Sequence, residues 1–112
     1  MRKLFFLIFL ISLFLAPRTH AQDDVGGKYS VGKTSCTIEW DSNDRVYKVY
    51  WSEGTGYTTL FYKEDLPNGN VVYEEYDDRG TTYSGKFTFK SDYYRSGVYE
   101  RSDGTEFKVK RK

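Results

Sequence analysis

The sequence is poor in the side chains that most enzymes and metal centres use. It contains one histidine, His20, and one cysteine, Cys36, among 112 residues. His20 lies in an N-terminal segment that we expect to be removed, so the mature chain has no imidazole for a serine- or cysteine-histidine mechanism. The usual zinc sites need several histidine or cysteine ligands and are excluded as well. The sequence therefore predicts no metal site and no cofactor.

Long hydrophobic runs are also missing, apart from one at the N-terminus. Residues 4–15 form an apolar run of 12 residues with one interruption, shorter than the roughly 20 that a membrane-spanning helix needs. Two basic residues precede this run, and a small-residue cleavage site ending at Ala21 follows it. This order is typical of a secretory signal peptide. We expect a signal peptide over 1–21, a single domain over 22–112, and a secreted or periplasmic protein.

Neither sign of charge dominates the chain. It has 17 basic and 16 acidic residues, and loss of residues 1–21 removes three basic ones, which leaves 14 against 16 and a net charge near −2. Nucleic-acid-binding domains carry clustered positive charge, whereas the only basic cluster here is the C-terminal segment 108–112. We expect no nucleic-acid partner and no membrane span in the mature chain.

A single cysteine leaves a monomer without a disulfide bond. Cys36 alternates with Ile38 and Trp40, a pattern that places all three side chains on one face of a strand. We therefore expect Cys36 to be buried and unpaired. A disulfide between two copies of the chain is the alternative.

The mature chain also lacks alanine and shows no helical spacing of apolar residues. Strand-forming residues recur between Gly, Asn and Asp turns, which predicts an all-β domain. About eight short strands are expected, at 28–32, 35–41, both halves of 45–63, 71–76, 82–90, 93–101 and 105–110. In the strand at 82–90 we expect Tyr83, Phe87 and Phe89 on one face, with Gly85 between them as a bulge or a point where another backbone approaches closely. Short connections favour an antiparallel meander that forms an up-and-down barrel, lipocalin-like or similar, or a compact sandwich.

Residues 45–63 carry more apolar and aromatic side chains than any other predicted hairpin, around a turn at 53–56. The predicted register pairs Ser52 with Tyr57, Val49 with Leu60, and Tyr47 with Tyr62. It assigns five side chains to the core: Tyr47, Val49, Trp51, Leu60 and Tyr62. The opposite face carries the aromatic residues Tyr50, Tyr57 and Phe61, beside Lys48 and Thr59.

These outer aromatic residues are the predicted ligand-binding site. A mature domain of 91 residues (112 − 21) is too small to cover both faces of a sheet. We therefore expect Tyr50, Tyr57 and Phe61, supported by Trp51, to bind carbohydrate or a protein partner, since tyrosine supplies contact area at low entropic cost. The alternative is a structural, self-associating protein that uses the same face as an oligomer interface.

Acidic residues are plentiful, but they form no recognisable catalytic site. Glu39, Asp41 and Glu53 are candidates for a glycosidase-like carboxylate pair, yet the first two occupy the polar side of a strand, where solvated charges are expected. Residues 41–44 begin like a calcium-binding loop, but Arg45 stands where such a loop has its next oxygen ligand. Residues 74–78 are better explained as a solvated acidic turn than as a divalent-ion site. We expect a protein that is not an enzyme.

One stretch resembles a known family. It begins with Cys36 on an early strand and ends with Trp51-Ser52-Glu53-Gly54-Thr55-Gly56-Tyr57. This stretch resembles the bacterial inhibitors of C-type lysozyme, which are small secreted β-barrels. The second cysteine usual in that family is missing, so its disulfide cannot form. The resemblance implies a further alternative function, inhibition of a secreted hydrolase.

Overall fold

A computed structural model describes residues 25–112 of the chain. The predicted signal peptide at 1–21 and its cleavage site lie outside the described residues. The described part contains eight strands: β1 (Gly27–Val31), β2 (Thr34–Asp41), β3 (Val46–Trp51), β4 (Thr58–Asp65), β5 (Val71–Tyr76), β6 (Tyr83–Phe89), β7 (Ser96–Arg101) and β8 (Glu106–Arg111). Within residues 25–112 there is no helix of the length and apolarity needed to cross a membrane.

The eight strands form a closed barrel. Each strand pairs antiparallel with the next one along the chain, and β8 pairs with β1. In the closing pair Ser30 lies opposite Lys110, and Val31 lies opposite Val109. The predicted all-β, up-and-down barrel is confirmed. Closure also pairs the strand edges that an open sheet would expose to other chains.

The turns alternate between the two ends of the barrel. We call the end with the β1–β2, β3–β4, β5–β6 and β7–β8 turns the mouth. At the opposite end, Val25 precedes β1 and is fully buried. Its carbonyl accepts a hydrogen bond of 2.7 Å from the Tyr29 hydroxyl. The start of the described chain therefore packs into the end opposite the mouth.

Side chains that alternate along the strands fill the barrel interior. The largest apolar ones with almost no exposure are Tyr29, Ile38, Leu60, Phe87 and Phe89. Cys36 is also buried, as predicted, and desolvation raises the pKa of its thiol to about 12. Trp40 was expected to be buried beside it. It does contact Tyr47, with ring centroids 4.9 Å apart, but Trp40 remains 53% exposed because it lies near the end of β2.

The register predicted for the central hairpin is wrong by two residues. The structure pairs Tyr47 with Leu60 and Val49 with Thr58. The physical reason is that the connection is longer than the predicted turn at 53–56, because the pairing of β3 with β4 ends at Val49 and Thr58. The last residues of β3 continue to pair with β2 alone, where the Ser52 amide donates a hydrogen bond to the Ser35 carbonyl.

Because side chains alternate with a period of two, this shift keeps Tyr47, Val49, Trp51 and Leu60 on the inner side of the sheet. The core assignment of Tyr62 is wrong: its side chain is 57% exposed, because it lies next to an irregularity in the β4–β5 register toward the end of the strand.

The predicted placement of Tyr83 is also wrong. The register between β5 and β6 changes after the pair Glu75 and Gly85, so that Tyr83 lies opposite Tyr76. This irregularity turns Tyr83 away from the face of Phe87, with which it was grouped, and toward the outside. Gly85 was expected to mark a bulge or a close approach. It lies at the irregularity, and a Cβ there would be 2.7 Å from the Tyr99 hydroxyl.

The seventh strand begins later than predicted, at Ser96 and not at Tyr93. Tyr93 and Tyr94 both have φ of 65°, a left-handed conformation that a strand cannot contain. The carboxylate of Asp92 stabilises this turn by accepting hydrogen bonds from the Arg95 amide at 3.0 Å and the Ser96 hydroxyl at 2.8 Å.

We predict that Gly97→Ala will destabilise the barrel by about 1–3 kcal/mol, because overpacking against backbone cannot be relieved by a rotamer change. A Cβ on Gly97 would clash with the Thr88 carbonyl oxygen and lie 3.0 Å from the Phe89 Cα. Gly54→Ala is the matched control, since a Cβ there meets no atom within 4 Å. Urea denaturation of both variants checks this, and equal stabilities would contradict the tight β6–β7 packing.

We also predict that a thiol reagent will label Cys36 slowly in native buffer and rapidly in denaturant. The thiol is buried and its pKa is raised to about 12, so the reactive thiolate is scarce at neutral pH. Mass spectrometry of samples taken over time measures the labelling. Rapid native labelling would contradict the burial of this side chain.

Candidate functional site

An aromatic strip runs across the outside of β3, β4, β5 and β6. We call it the outer aromatic face and define it by Tyr50, Tyr57, Phe61, Tyr76 and Tyr83. Neighbouring rings lie close together, with centroids 5.9 Å apart for Tyr50 and Tyr57 and 5.7 Å apart for Phe61 and Tyr76. Tyr50, Phe61 and Tyr83 are 38–42% exposed. The three predicted outer aromatic residues are therefore on one accessible surface.

Lys48 lies between the aromatic residues of this face and is held in place by charge. Its ammonium group is 2.8 Å from the carboxylates of both Asp41 and Asp44 and 4.2 Å from the centroid of the Tyr57 ring. The hydrogen bond between Lys48 and Asp41 is the largest influence that raises the pKa of Lys48 and lowers the pKa of Asp41. The cation is thus oriented before any ligand arrives.

A depression of about 260 Å³ opens beside Lys48. Tyr57 and Phe61 line it together with polar side chains from two turns at opposite ends of the barrel. Its charged lining residues are Asp44, Arg45, Lys48, Asp78 and Arg79. The Asp77 carboxylate stabilises the β5–β6 turn by accepting a 2.8 Å hydrogen bond from the Thr81 amide, which helps lower the pKa of Asp77 to about 2.

Trp51, the fourth predicted site residue, does not belong to the outer aromatic face. Its side chain lies inside the barrel, where it stacks on Phe87 at a centroid distance of 6.2 Å. The sheet itself separates it from Tyr50, its neighbour in sequence. Trp51 belongs to a different surface, at the mouth of the barrel.

The mouth contains a cavity of about 290 Å³ that we call the mouth cup. Its aromatic wall consists of Trp51, Tyr99 and Phe107, and its charged lining residues are Glu53 and Arg101. Tyr99 is the central ring, with centroids 5.2 Å from Trp51 and 6.4 Å from Phe107. The Arg101 guanidinium lies 5.9 Å from the centre of the Phe107 ring.

Glu75 is fully buried behind this wall. Its carboxylate accepts hydrogen bonds from the Trp51 indole at 2.8 Å, from the Tyr99 hydroxyl at 2.5 Å and from the Thr58 hydroxyl. Desolvation, and then the hydrogen bond to Glu75, raise the pKa of Tyr99. No lysine or arginine within residues 25–112 forms an ion pair with Glu75. This carboxylate therefore orients two rings of the aromatic wall, Trp51 and Tyr99.

Sequence reasoning missed Glu75 because it grouped residues 74–78 as one solvated acidic turn. The signal was available in the alternation of β5, where Tyr73 and Glu75 share a face. The other candidate carboxylates are dispersed: Glu39 is exposed, Asp41 is paired with Lys48, and Glu53 lines the mouth cup. The described residues contain no group of three or more potential metal ligands.

Comparisons with known proteins add nothing to this geometry: no family model, no curated protein and no solved structure gives a significant match to the sequence. The resemblance of 36–57 to the lysozyme inhibitors therefore stays a prediction. Any functional conclusion rests on the residues of this chain.

We predict that Glu75→Ala will destabilise the protein by about 3 kcal/mol or more, because the buried Tyr99 hydroxyl and the partly buried donors of Trp51 and Thr58 lose a charged acceptor. Glu39→Ala is the control, since Glu39 is exposed on β2 and should change stability by no more than about 0.5 kcal/mol. Urea denaturation followed by far-UV circular dichroism measures both. Equal midpoints for the two variants would contradict a structural role for Glu75.

Proposed function

We propose that the protein is a secreted or periplasmic, non-catalytic binding module that binds carbohydrate on its outer aromatic face. The observation that carries the proposal is the depression between Tyr57 and Phe61, where aromatic and charged side chains line one cavity. Export of the module follows from the predicted signal peptide.

The aromatic part of the depression suits the apolar side of a sugar ring. Tyr57 and Phe61 both line it, and Phe61 is 42% exposed, which leaves ring surface free for contact. Aromatic side chains supply large contact areas with little loss of side-chain entropy on binding. A volume of about 260 Å³ favours a small unit, such as one or two sugar rings, over a large folded surface.

The charged part of the depression suits sugar hydroxyl groups. Arg45, Lys48 and Arg79 are hydrogen-bond donors, whereas Asp44 and Asp78 are acceptors. Mixed donors and acceptors match hydroxyl groups, which both donate and accept. Because Lys48 is already fixed by its two ion pairs, it loses little freedom when a ligand binds.

The same geometry argues against catalysis at this site. A general acid needs a carboxylate or imidazole that is free to exchange its proton with the substrate. Of the two carboxylates that line the depression, Asp44 is engaged by Lys48 at 2.8 Å, which leaves Asp78 alone, whereas glycoside hydrolysis uses a pair. The mature sequence supplies no histidine to take its place. Binding without reaction is the function these groups support.

We predict that Tyr57→Ala and Phe61→Ala will each weaken binding of cell-wall oligosaccharides by about tenfold or more, since central aromatic contacts carry much of a binding free energy. Tyr50→Ala should have a smaller effect, because Tyr50 does not line the depression. The ligand is first found by screening soluble cell-wall fragments and other glycans, and binding is then measured by isothermal titration calorimetry.

Tyr62→Ala is the matched control, since Tyr62 is 57% exposed but lies outside the outer aromatic face. The three outer-face substitutions should change stability by no more than about 1 kcal/mol. Trp51→Ala and Val49→Ala should destabilise by about 2–5 kcal/mol as core changes. If no glycan binds and Tyr50→Ala converts a self-associated species into a monomer in sedimentation experiments, the face is an oligomer interface and the carbohydrate proposal is wrong.

A further inference from the structure

The mouth cup has a chemical character different from that of the outer aromatic face, and the barrel wall separates the two surfaces. We propose that the mouth cup is a second binding site, specific for a small organic cation such as a quaternary ammonium group. This inference does not depend on the proposed carbohydrate site.

The first argument is the aromatic wall. Trp51, Tyr99 and Phe107 adjoin one another around a single cavity. The faces of aromatic rings carry negative electrostatic potential, and several rings around one cavity form the cage that recognises quaternary ammonium ligands. A positively charged side chain of the protein already contacts this wall: the Arg101 guanidinium lies 5.9 Å from the Phe107 ring centre.

The second argument is the buried charge. Glu75 is fully buried, it bonds directly to two rings of the wall, and within residues 25–112 it has no ion-pair partner. A buried charge is screened less by salt than an exposed one, so its field extends into the adjacent cavity. Hydrogen bonding to the carboxylate also increases the electron density of the donating tyrosine ring. The cup is therefore more attractive to a cation than its apolar lining alone would be.

The third argument is the charge balance. Glu53 and Glu75 contribute two negative charges around the cavity, and Arg101 contributes one positive charge. One monovalent cation would make this set neutral. A volume of about 290 Å³ limits the ligand to a small molecule or a headgroup, because typical drug-sized pockets begin near this volume. An anion in the same cavity would be repelled by the buried carboxylate of Glu75.

The test uses choline chloride and two probes of the same shape. One probe is 3,3-dimethylbutan-1-ol, the neutral isostere of choline in which a quaternary carbon replaces the ammonium nitrogen. The other probe is 3,3-dimethylbutanoate, which has the same branched end but carries a carboxylate. The chain has two tryptophans, so Trp40→Phe leaves Trp51 as the only indole reporter. Fluorescence titration should show choline binding about tenfold or more tighter than the neutral isostere, with no binding of the carboxylate.

Two substitutions give opposite expected results in the Trp40→Phe background. Arg101→Gln removes the competing cation and should tighten choline binding severalfold, whereas Glu75→Gln removes the buried charge and should weaken it about tenfold. Arg101 is exposed, so this variant remains informative if Glu75→Gln fails to fold. No saturable response to choline, equal binding of the neutral isostere, or weaker choline binding by Arg101→Gln would each overturn the proposal.

Discussion

The pairing of the first strand with the last is the constraint on which the rest of this structure depends. Once β1 and β8 join, the sheet has one inside and one outside, and every strand residue belongs to one of them. A barrel interior has limited volume, so only part of the aromatic content can be buried there. The remaining rings must lie outside, which is why a small domain carries an accessible aromatic strip.

Closure also explains how the barrel holds a buried carboxylate. Glu75 lies on an inner face, where an unpaired charge would be very costly. Donors from β3, β4 and β7 converge on it across the interior, through Trp51, Thr58 and Tyr99. The curvature of the barrel brings Tyr99 of β7 close to residues of β3 and β4, although these strands are not neighbours in the sheet. The carboxylate in turn orients the aromatic wall of the mouth.

Two adjacent residues, Tyr50 and Trp51, illustrate how one strand serves two surfaces. Tyr50 contacts Tyr57 on the outside, whereas Trp51 stacks on Phe87 inside. Their separation arises from the period of two along the strand, which places adjacent side chains on opposite sides of the sheet. The two proposed sites can therefore be tested independently.

The sequence by itself determined the all-β class, the meander of eight strands, the burial of Cys36 and the outward placement of Tyr50, Tyr57 and Phe61, because alternation and turn chemistry are local properties. Even a register error of two residues preserved the faces. The tertiary structure alone decided the outward turn of Tyr83, the depression on the outer face and the mouth cup around Glu75. These features depend on which strands meet across the barrel, and pairings distant in sequence leave no local pattern.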